Sequence, residues 1–279
     1  KAYESAFQAQ IDARYKEYFE DRDCSGKGGT VILGHSHVDA AFWNDWENQT
    51  GLTKYVNGYN VGIGGTTTLD WLYAYEKIVK PFDADRFVIS VGENDITGWG
   101  RDGAEVVESL SELFKKIHTD HPNAAIYYIY SLPAATKYAN GQWLDAEYKA
   151  LVKGEKELCE SLEYVQGIDT FNVLVDSDAR NVKTELYGTN NDIHLNQEGY
   201  KVWSAYLYDQ IFKGVNFGVT VGGGVTYKTT NGIELINDKG NNATLSIFGG
   251  VPRYAYLNDS YTNKFYFEAE VNVREVLNN

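Results

Sequence analysis

The chain has 279 residues, of which 43% are hydrophobic and 14% aromatic, and its formal net charge is -14. A chain of this length and composition is typical of a folded protein with one sizeable core and room for a smaller second unit. The negative charge argues against nucleic acids and anionic membranes as partners, because their phosphate groups would repel it. No apolar run approaches the length of a membrane span. The sequence gives no oligomeric state.

The start of the chain and its cysteines leave the cellular compartment open. The sequence begins at Lys1, contains no methionine and shows no signal peptide, which fits a processed or trimmed chain. A secreted or cell-surface bacterial protein is therefore one expectation. Cys24 and Cys159 lie far apart and lack the spacing of a zinc site, and we expect two reduced thiols rather than a disulfide.

The first part of the chain alternates between helical and strand patterns. Apolar residues at four-residue intervals predict a helix over residues 3–20, and the short run 31–33 predicts a buried strand. The pattern after Ser36 is helical, and residues 59–63 predict a short strand that ends in a Gly-Gly pair. Residues 66–79 then combine threonine cap candidates with helical spacing.

The alternation continues to residue 212. The remaining predicted elements are strands at 86–91, at 125–132 and around 168–174, and helices at 102–118, 143–162 and 196–212. Strands that alternate with helices indicate parallel βαβ units. We therefore predict a three-layer α/β/α fold, flavodoxin-like, with a mainly parallel central sheet. In such sheets the reactive groups gather at the carboxyl ends of the strands.

The composition changes near residue 214. The rest of the chain is rich in Gly, Thr and Asn and contains short alternating runs, which indicates β-structure with hairpin turns. We predict a main domain over residues 1–213, whose residues 1–28 form an N-terminal helix and linker, and a β-rich segment over residues 214–279. That segment is either an incomplete β-sandwich module or a set of extra strands packed on the main domain.

Ser36 follows the first predicted core strand, in the stretch GHSH. A serine hydroxyl is a poor nucleophile unless a base removes its proton. The neighbours His35 and His37 are disfavoured as that base, because adjacent side chains point in different directions. Asp192 and His194 are separated by one residue, so in an extended backbone both side chains project to the same side. The carboxylate could then hold one ring nitrogen while the other faces Ser36. The pattern predicts a Ser-His-Asp triad, although a D-x-H pair alone is common among surface residues.

Two glycine-containing stretches, NVGIGG and VGEND, offer donors for an oxyanion. The negative charge of a tetrahedral intermediate requires hydrogen-bond donors that are already aimed at it. The backbone N–H groups of Ser36 and Gly65 and the side-chain amide of Asn94 are candidates, each just after a predicted strand. The alternatives are structural, since Gly-Gly pairs often form turns and asparagine often caps a helix.

The segments GHS, NVGIGG, GEND and DIHLN resemble, in order and approximate spacing, the sequence blocks of the SGNH hydrolases, also called GDSL-type esterases. The resemblance covers residues 30–210. It implies that Ser36 is the nucleophile, that His194 is the base and that Asp192 orients the base. It also implies an oxyanion hole formed by Gly65, Asn94 and the Ser36 amide, and a serine carboxylic-ester hydrolase that needs no cofactor.

One position departs from the family pattern, because GDS-type members carry Asp where this chain has His35. That position is not a triad member. His35 either adjusts the pocket, as a candidate substrate contact, or simply packs. The motif also differs from the G-x-S-x-G elbow of α/β-hydrolases, because the residue after His37 is Val38.

Metal binding is the alternative interpretation of the histidines. His35 and His37 form an H-x-H pair, and His118 and His121 lie three residues apart at a helix end. Zinc needs three or four ligands, and the sequence offers no coherent set, so we predict no metal. The stretch GKGGT lacks the spacing of a phosphate-binding P-loop.

These observations predict an esterase that removes a short acyl group, acetyl as the first choice, from a carbohydrate. The ester class follows from the predicted triad and the family resemblance. The choice of a carbohydrate substrate rests on the acidic, aromatic-rich composition, on the β-rich segment and on analogy with members of the family that the chain resembles. Aromatic residues after core strands can stack on sugar rings; these are Trp43, Trp99, Tyr138 and Trp143, with Trp99 the first candidate for a substrate contact. The alternatives are a lipid esterase or lysophospholipase of the same fold and a catalytically silent carbohydrate-binding protein.

Overall fold

The computed structural model describes residues 3–25, 29–39, 58–188 and 193–212, together with four short strands between residues 218 and 248. The central sheet consists of β1 (Thr30–Gly34), β2 (Gly58–Asn60), β3 (Arg86–Ser90), β4 (Ala125–Ile129) and β7 (Val165–Ile168). The strand order is β2-β1-β3-β4-β7, and every neighbouring pair is parallel. The predicted α/β fold with a mainly parallel sheet is confirmed. A small antiparallel pair lies outside this sheet, β5 (Tyr138–Ala139) and β6 (Gln142–Trp143).

Helices cover both faces of the sheet. The described helices are α1 (Gln8–Tyr15), α2 (Thr68–Ile78), α3 (Glu93–Thr97), α4 (Gly103–Asp120), α5 (Ala146–Ser161), α6 (Phe171–Leu174) and α7 (Gln197–Phe212). Successive residues of a strand face opposite sides of the sheet. Val31 and Leu33 therefore join the core under α1, α2, α4 and α5, whereas Ile32 joins the core under α6 and α7. None of these helices combines the length and the apolar character needed to cross a membrane.

The start of α2 is fixed by a capping box. The Thr67 hydroxyl accepts a hydrogen bond from the N–H of Asp70, and the Asp70 carboxylate accepts one from the N–H of Thr67 at 2.8 Å. This reciprocal pair satisfies backbone donors that would otherwise lack partners in the first turn. It also fixes the backbone immediately after the Gly64–Gly65 pair.

The predicted strand around residues 168–174 was wrong in position. Strand β7 ends at Ile168, and residues 171–174 form the single-turn helix α6. Residues 171–175 are apolar except for Asn172 and resemble a buried strand in sequence, but Leu174 is buried as part of the helical turn. The predicted helix over residues 3–20 becomes α1 followed by a π-helical turn at Lys16–Glu20.

The described strands beyond residue 212 form two antiparallel pairs. Strand β8 (Gly218–Val221) pairs with β11 (Leu245–Phe248), and β9 (Val225–Lys228) pairs with β10 (Glu234–Asn237). These strands agree with the predicted β-structure of this segment. The domain boundary at residue 213 and the β-sandwich interpretation stay predictions.

Both cysteines lie in the core. Cys24 and Cys159 are buried, and no disulfide joins them, as expected from the sequence. Burial raises the pKa of the Cys159 thiol to about 12. The thiol is therefore protonated and unreactive at neutral pH.

Candidate active site

Ser36 lies at the carboxyl edge of the sheet, at the start of a 3-10 turn that runs to Val38. The turn is close to β3, because a Cβ atom on Gly34 would lie 1.9 Å from the backbone oxygen of Ser90. The N–H of His35 donates to the same oxygen at 2.9 Å. Glycine is therefore required just before the serine turn, and the turn is held against the neighbouring strand.

The imidazole of His194 contacts Ser36. His194 Nε2 lies 2.8 Å from Ser36 Oγ, although 158 positions separate the two residues. The backbone around His194 is held by a bridge between Leu195 and Tyr187 and by the N–H of Gly188, which donates to the His194 oxygen at 2.9 Å. Burial, and then the nearby His37, lower the pKa of His194. A lowered pKa keeps the ring neutral, which is the form that can accept a proton.

Asp192, the predicted orienting carboxylate, lies outside the described residues. Its role in a triad stays a prediction. Trp43 also lies outside them.

The candidate oxyanion donors Gly65 and Asn94 are linked through Thr66, the residue that follows Gly65. Asn94 Nδ2 donates to the backbone oxygen of Thr66 at 3.1 Å. An asparagine amide carries two N–H groups, so one remains for another acceptor. Gly65 has φ +82, and a Cβ atom on Gly64 would lie 3.7 Å from Ser36 Cβ. The structure thus brings the glycine pair and Asn94 to the edge of the sheet where Ser36 lies.

Helix α3, which carries Asn94, is anchored through Asp95. The buried Asp95 carboxylate accepts hydrogen bonds from the N–H of Thr68 at 2.9 Å and from its hydroxyl at 2.6 Å. It also pairs with Arg101 at 2.6 Å. Burial raises the pKa of Asp95, against the effect of these partners. Because Thr68 begins α2, the contact fixes Asn94 relative to Gly65.

Glu93 lies beneath the serine turn and was missed from the sequence. Its Oε1 accepts a hydrogen bond from the N–H of Leu132 at 2.6 Å. Its Oε2 lies 3.5 Å from His37 Nδ1, 3.6 Å from His35 Nε2 and 3.8 Å from Lys137 Nζ. Burial opposes ionisation, but Lys137 and the two histidines outweigh it and lower the pKa of Glu93 to about 2. The available signal was a charged residue two positions after the apolar strand predicted over residues 86–91.

His35 was predicted as a candidate substrate contact, but the structure buries it. The residue is 2% exposed, and its ring faces Glu93 beneath the surface. Burial lowers the pKa of His35 to about 3, so the ring is neutral at physiological pH. These contacts support the alternative that His35 packs within the protein.

Three side chains beneath the serine turn could in principle serve as metal ligands. Atoms of His35, His37 and Glu93 lie within 4.8 Å of one another. The N–H of His37 donates to His35 Nδ1 at 3.4 Å, which places the His35 proton on Nε2, the atom that faces Glu93. A protonated nitrogen cannot bind a metal, and the Lys137 ammonium beside Glu93 would repel a cation. This chemistry favours a network of hydrogen bonds and ion pairs over a metal site, although the fold brings together three potential ligands that the sequence did not indicate. The absence of a metal stays a prediction.

The other histidine pair is engaged in packing. His118 stacks on Tyr164 with ring centroids 3.9 Å apart, and His121 packs on Phe87 with centroids 5.0 Å apart. Neither ring belongs to a described cluster of three potential ligands.

Aromatic side chains lie in two places along the carboxyl edge. Trp99 follows α3 and is 58% exposed. Tyr138 and Trp143 line a groove of about 310 Å³ together with Tyr130 and Phe171, beyond the ends of β4 and β7. Contact of any of these residues with substrate stays a prediction.

Comparison with known families and structures gives the same assignment as the sequence blocks. Residues 25–202 match the family described as GDSL-like Lipase/Acylhydrolase. None of the curated proteins matches the chain.

Several solved structures share the fold. One is described as an acylhydrolase from Bacteroides fragilis, with a TM-score of 0.59, 19% identity, and coverage of 77% of this chain and 100% of that chain. A GDSL-like lipase from Bacteroides thetaiotaomicron has a TM-score of 0.56, 18% identity, and coverage of 73% and 99%. A psychrotrophic esterase from Pseudoalteromonas sp., inhibited by monoethylphosphonate, has a TM-score of 0.50, 18% identity, and coverage of 66% and 97%.

Proposed function

The chain belongs to the GDSL-like lipase/acylhydrolase family, and from that premise we propose that it is a serine esterase that hydrolyses short-chain acyl esters through an acyl-enzyme on Ser36. The observation that carries the proposal is the 2.8 Å contact between Ser36 Oγ and His194 Nε2. Such a contact lets a neutral imidazole activate a hydroxyl that is otherwise a weak nucleophile.

The first step forms the acyl-enzyme. Ser36 Oγ attacks the carbonyl carbon of the ester while His194 Nε2 takes the hydroxyl proton. The carbonyl electrons move to oxygen, and the N–H groups of Ser36, Gly65 and Asn94 stabilise that charge. The bond to the leaving alcohol then breaks, and His194 returns the proton to the alcohol oxygen.

The second step releases the acid. A water molecule donates its proton to His194 and attacks the acyl carbon, and a second oxyanion forms at the same donors. The bond to Ser36 Oγ breaks, and the proton on His194 returns to that oxygen. The Asp192 carboxylate would hold the other ring nitrogen throughout and favour the required tautomer.

We further propose that the alcohol part of the ester is a carbohydrate and that the acyl group is acetyl. The support for the carbohydrate is the groove beyond β4 and β7, which is lined by Trp143 and Phe171 together with Lys149 and Asp169. Aromatic faces pack against the apolar side of sugar rings, while charged groups bind hydroxyls.

The catalytic proposal is tested with p-nitrophenyl acetate, butyrate and octanoate. We expect acetate to be preferred, and Ser36→Ala to lose turnover by on the order of a thousandfold or more. Ser25→Ala, at an exposed position, is the matched control and should keep wild-type rates. Preference for octanoate would instead favour a lipid esterase, and absence of turnover with every ester would favour a binding protein.

The carbohydrate proposal needs a natural type of substrate. Acetate release from an acetylated oligosaccharide should be compared for the wild type and Trp143→Ala. We expect a higher KM for the oligosaccharide and an unchanged KM for p-nitrophenyl acetate. If Trp143→Ala changes KM equally for both substrates, or for neither, the groove does not bind the carbohydrate.

A further inference from the structure

The ring of His37 connects two parts of the site that are remote in sequence. His37 Nε2 lies 2.7 Å from the backbone oxygen of Ile193, the residue before His194. Its other ring nitrogen, Nδ1, lies 3.5 Å from Glu93 Oε2. We call this pair of contacts the His37 bridge.

The partners determine how the His37 ring is used. A carbonyl oxygen only accepts hydrogen bonds, so the Nε2 atom of His37 must carry a proton and donate it to Ile193. The Nδ1 atom faces a carboxylate, which is also an acceptor. The ring is buried and its centroid lies 5.6 Å from that of His194. His37 therefore packs against the base as well as holding the backbone beside it.

The far end of the His37 bridge is held by contacts of its own. Glu93 is buried and bound by the N–H of Leu132, and Lys137 lies at 3.8 Å from its other oxygen. Glu93 directly precedes Asn94, and His37 directly follows Ser36. The bridge thus links the turn that carries the serine, the helix that carries Asn94 and the segment that carries His194.

We propose that His37 is a positioning residue, which holds the backbone at Ile193 so that His194 stays within hydrogen-bond distance of Ser36. This inference rests on the proposed function of Ser36 and His194. A displacement of about 1 Å at a reacting pair can cost about a hundredfold in rate, so we expect loss of the bridge to lower turnover measurably.

Two substitutions separate the halves of the bridge. The amide nitrogen of glutamine reaches about as far from Cβ as His37 Nε2, so His37→Gln can still donate to Ile193. The amide of asparagine reaches only as far as Nδ1, so His37→Asn faces Glu93 but loses Ile193. For p-nitrophenyl acetate we expect kcat to fall about 10- to 100-fold in His37→Asn, with KM within about twofold, and to be largely kept in His37→Gln.

The pH profile supplies a readout that simple loss of packing would not change. Glu93 Oε2 lies 3.5 Å from the His37 ring, and the ring centroids of His35 and His194 lie 4.9 Å and 5.6 Å from that of His37. The Lys137 ammonium lies 3.8 Å from Glu93. Both substitutions remove a neighbour that lowers the pKa of His194. The acid limb of kcat/KM should therefore move to higher pH in both variants, whereas only His37→Asn loses rate at the optimum.

Hydrogen exchange provides a measurement that does not require turnover. Backbone amides in peptides that span His194 should exchange faster in His37→Asn than in the wild type, and at nearly the wild-type rate in His37→Gln. If no ester is hydrolysed but this exchange pattern appears, the proposed function fails and the bridge stands.

Other outcomes overturn the bridge itself. If the wild type is an active esterase and both variants match it in kcat, pH profile and exchange, His37 has no positioning role. Equal loss in both variants would show that the contact with Ile193 is not the relevant one. A stoichiometric metal ion in the purified protein, lost in His37→Asn, would replace the bridge by a metal centre at the same residues.

Discussion

Asn94 donates its side-chain amide to the backbone oxygen of Thr66 at 3.1 Å, and this bond joins the helix after β3 to the turn that contains Gly65. Two of the three groups proposed to bind the oxyanion, Gly65 and Asn94, are thus held in position relative to each other. Donors that are fixed before the reaction need no reorganisation when charge develops, which is the condition for effective electrostatic stabilisation.

The first prediction concerns that amide. Asn94→Ala should lower kcat about 100- to 1000-fold with p-nitrophenyl acetate, because one oxyanion donor is lost. Asn94→Asp should be at least as severe, since a carboxylate would repel both the oxyanion and the Thr66 oxygen. The exposed residue Asn172 provides the control, and Asn172→Ala should keep the wild-type rate. If Asn94→Ala keeps the wild-type kcat, Asn94 does not donate to the oxyanion.

A second prediction compares two glycines that share an unusual backbone conformation. Gly65 has φ +82 and Gly100 has φ +64, so alanine at either position should cost about 1–2 kcal/mol of stability. A Cβ atom on Gly65 would also lie 3.1 Å from the Phe7 ring, whereas one on Gly100 meets nothing within 4 Å. Gly65→Ala should therefore lose both stability and kcat, and Gly100→Ala only stability, as measured by thermal unfolding and ester hydrolysis. Equal kcat in the two variants would contradict the placement of Gly65.

The third prediction is the pH dependence of activity. The reaction needs neutral His194, and burial and His37 lower the pKa of this ring from the ordinary value of 6.5. The base form therefore persists below that pH. The acid limb of kcat/KM should have its midpoint below pH 6.5. A midpoint above pH 6.5 in the wild type would show that His194 is not the titrating base or that its surroundings differ.

The fourth prediction concerns stability and the buried Glu155. Burial raises its pKa to about 7, although Tyr128 and Ser131 donate hydrogen bonds to it. A raised carboxyl pKa adds stability that is fully present below the unfolded value of 4.5 and is lost as pH rises through 7. The loss is on the order of 3 kcal/mol.

The measurement is the free energy of unfolding by urea between pH 5 and pH 8. Glu155→Gln removes this titration. The free energy of unfolding should therefore fall less between pH 5 and pH 8 in Glu155→Gln than in the wild type. Comparing the changes rather than the absolute values cancels any constant effect of the substitution. The exposed Glu108 supplies a control, Glu108→Gln. If the wild type and Glu155→Gln show the same pH dependence, Glu155 does not titrate in this range.

Much of the fold followed from the sequence, because its strands and helices alternate and each strand is short and apolar. Ser36, Gly65 and Asn94 could be identified since each follows a strand, and the carboxyl ends of neighbouring parallel strands share one edge. His194 was identified from its D-x-H pattern and from the family blocks, and the structure places it against Ser36.

Other features depend on tertiary contacts that spacing does not reveal. Glu93 and Lys137 are 44 positions apart by their numbers, and only the folded sheet brings their charges together. His37 was considered only as a base or metal ligand, because nothing in GHSH indicates a carbonyl acceptor at residue 193. The strand predicted near 168–174 failed since Phe171 and Leu174 also fit a single helical turn, which a short apolar run cannot distinguish.

The central claim is that Ser36 is a nucleophile activated by His194. The most direct test is covalent labelling with an alkyl fluorophosphonate, followed by peptide mass spectrometry and an assay of residual esterase activity. The account predicts one adduct, on the peptide that contains Ser36, with activity lost in proportion, no labelling of Ser36→Ala and much slower labelling of His194→Ala. An adduct on another residue, or full activity after Ser36 is modified, would contradict it.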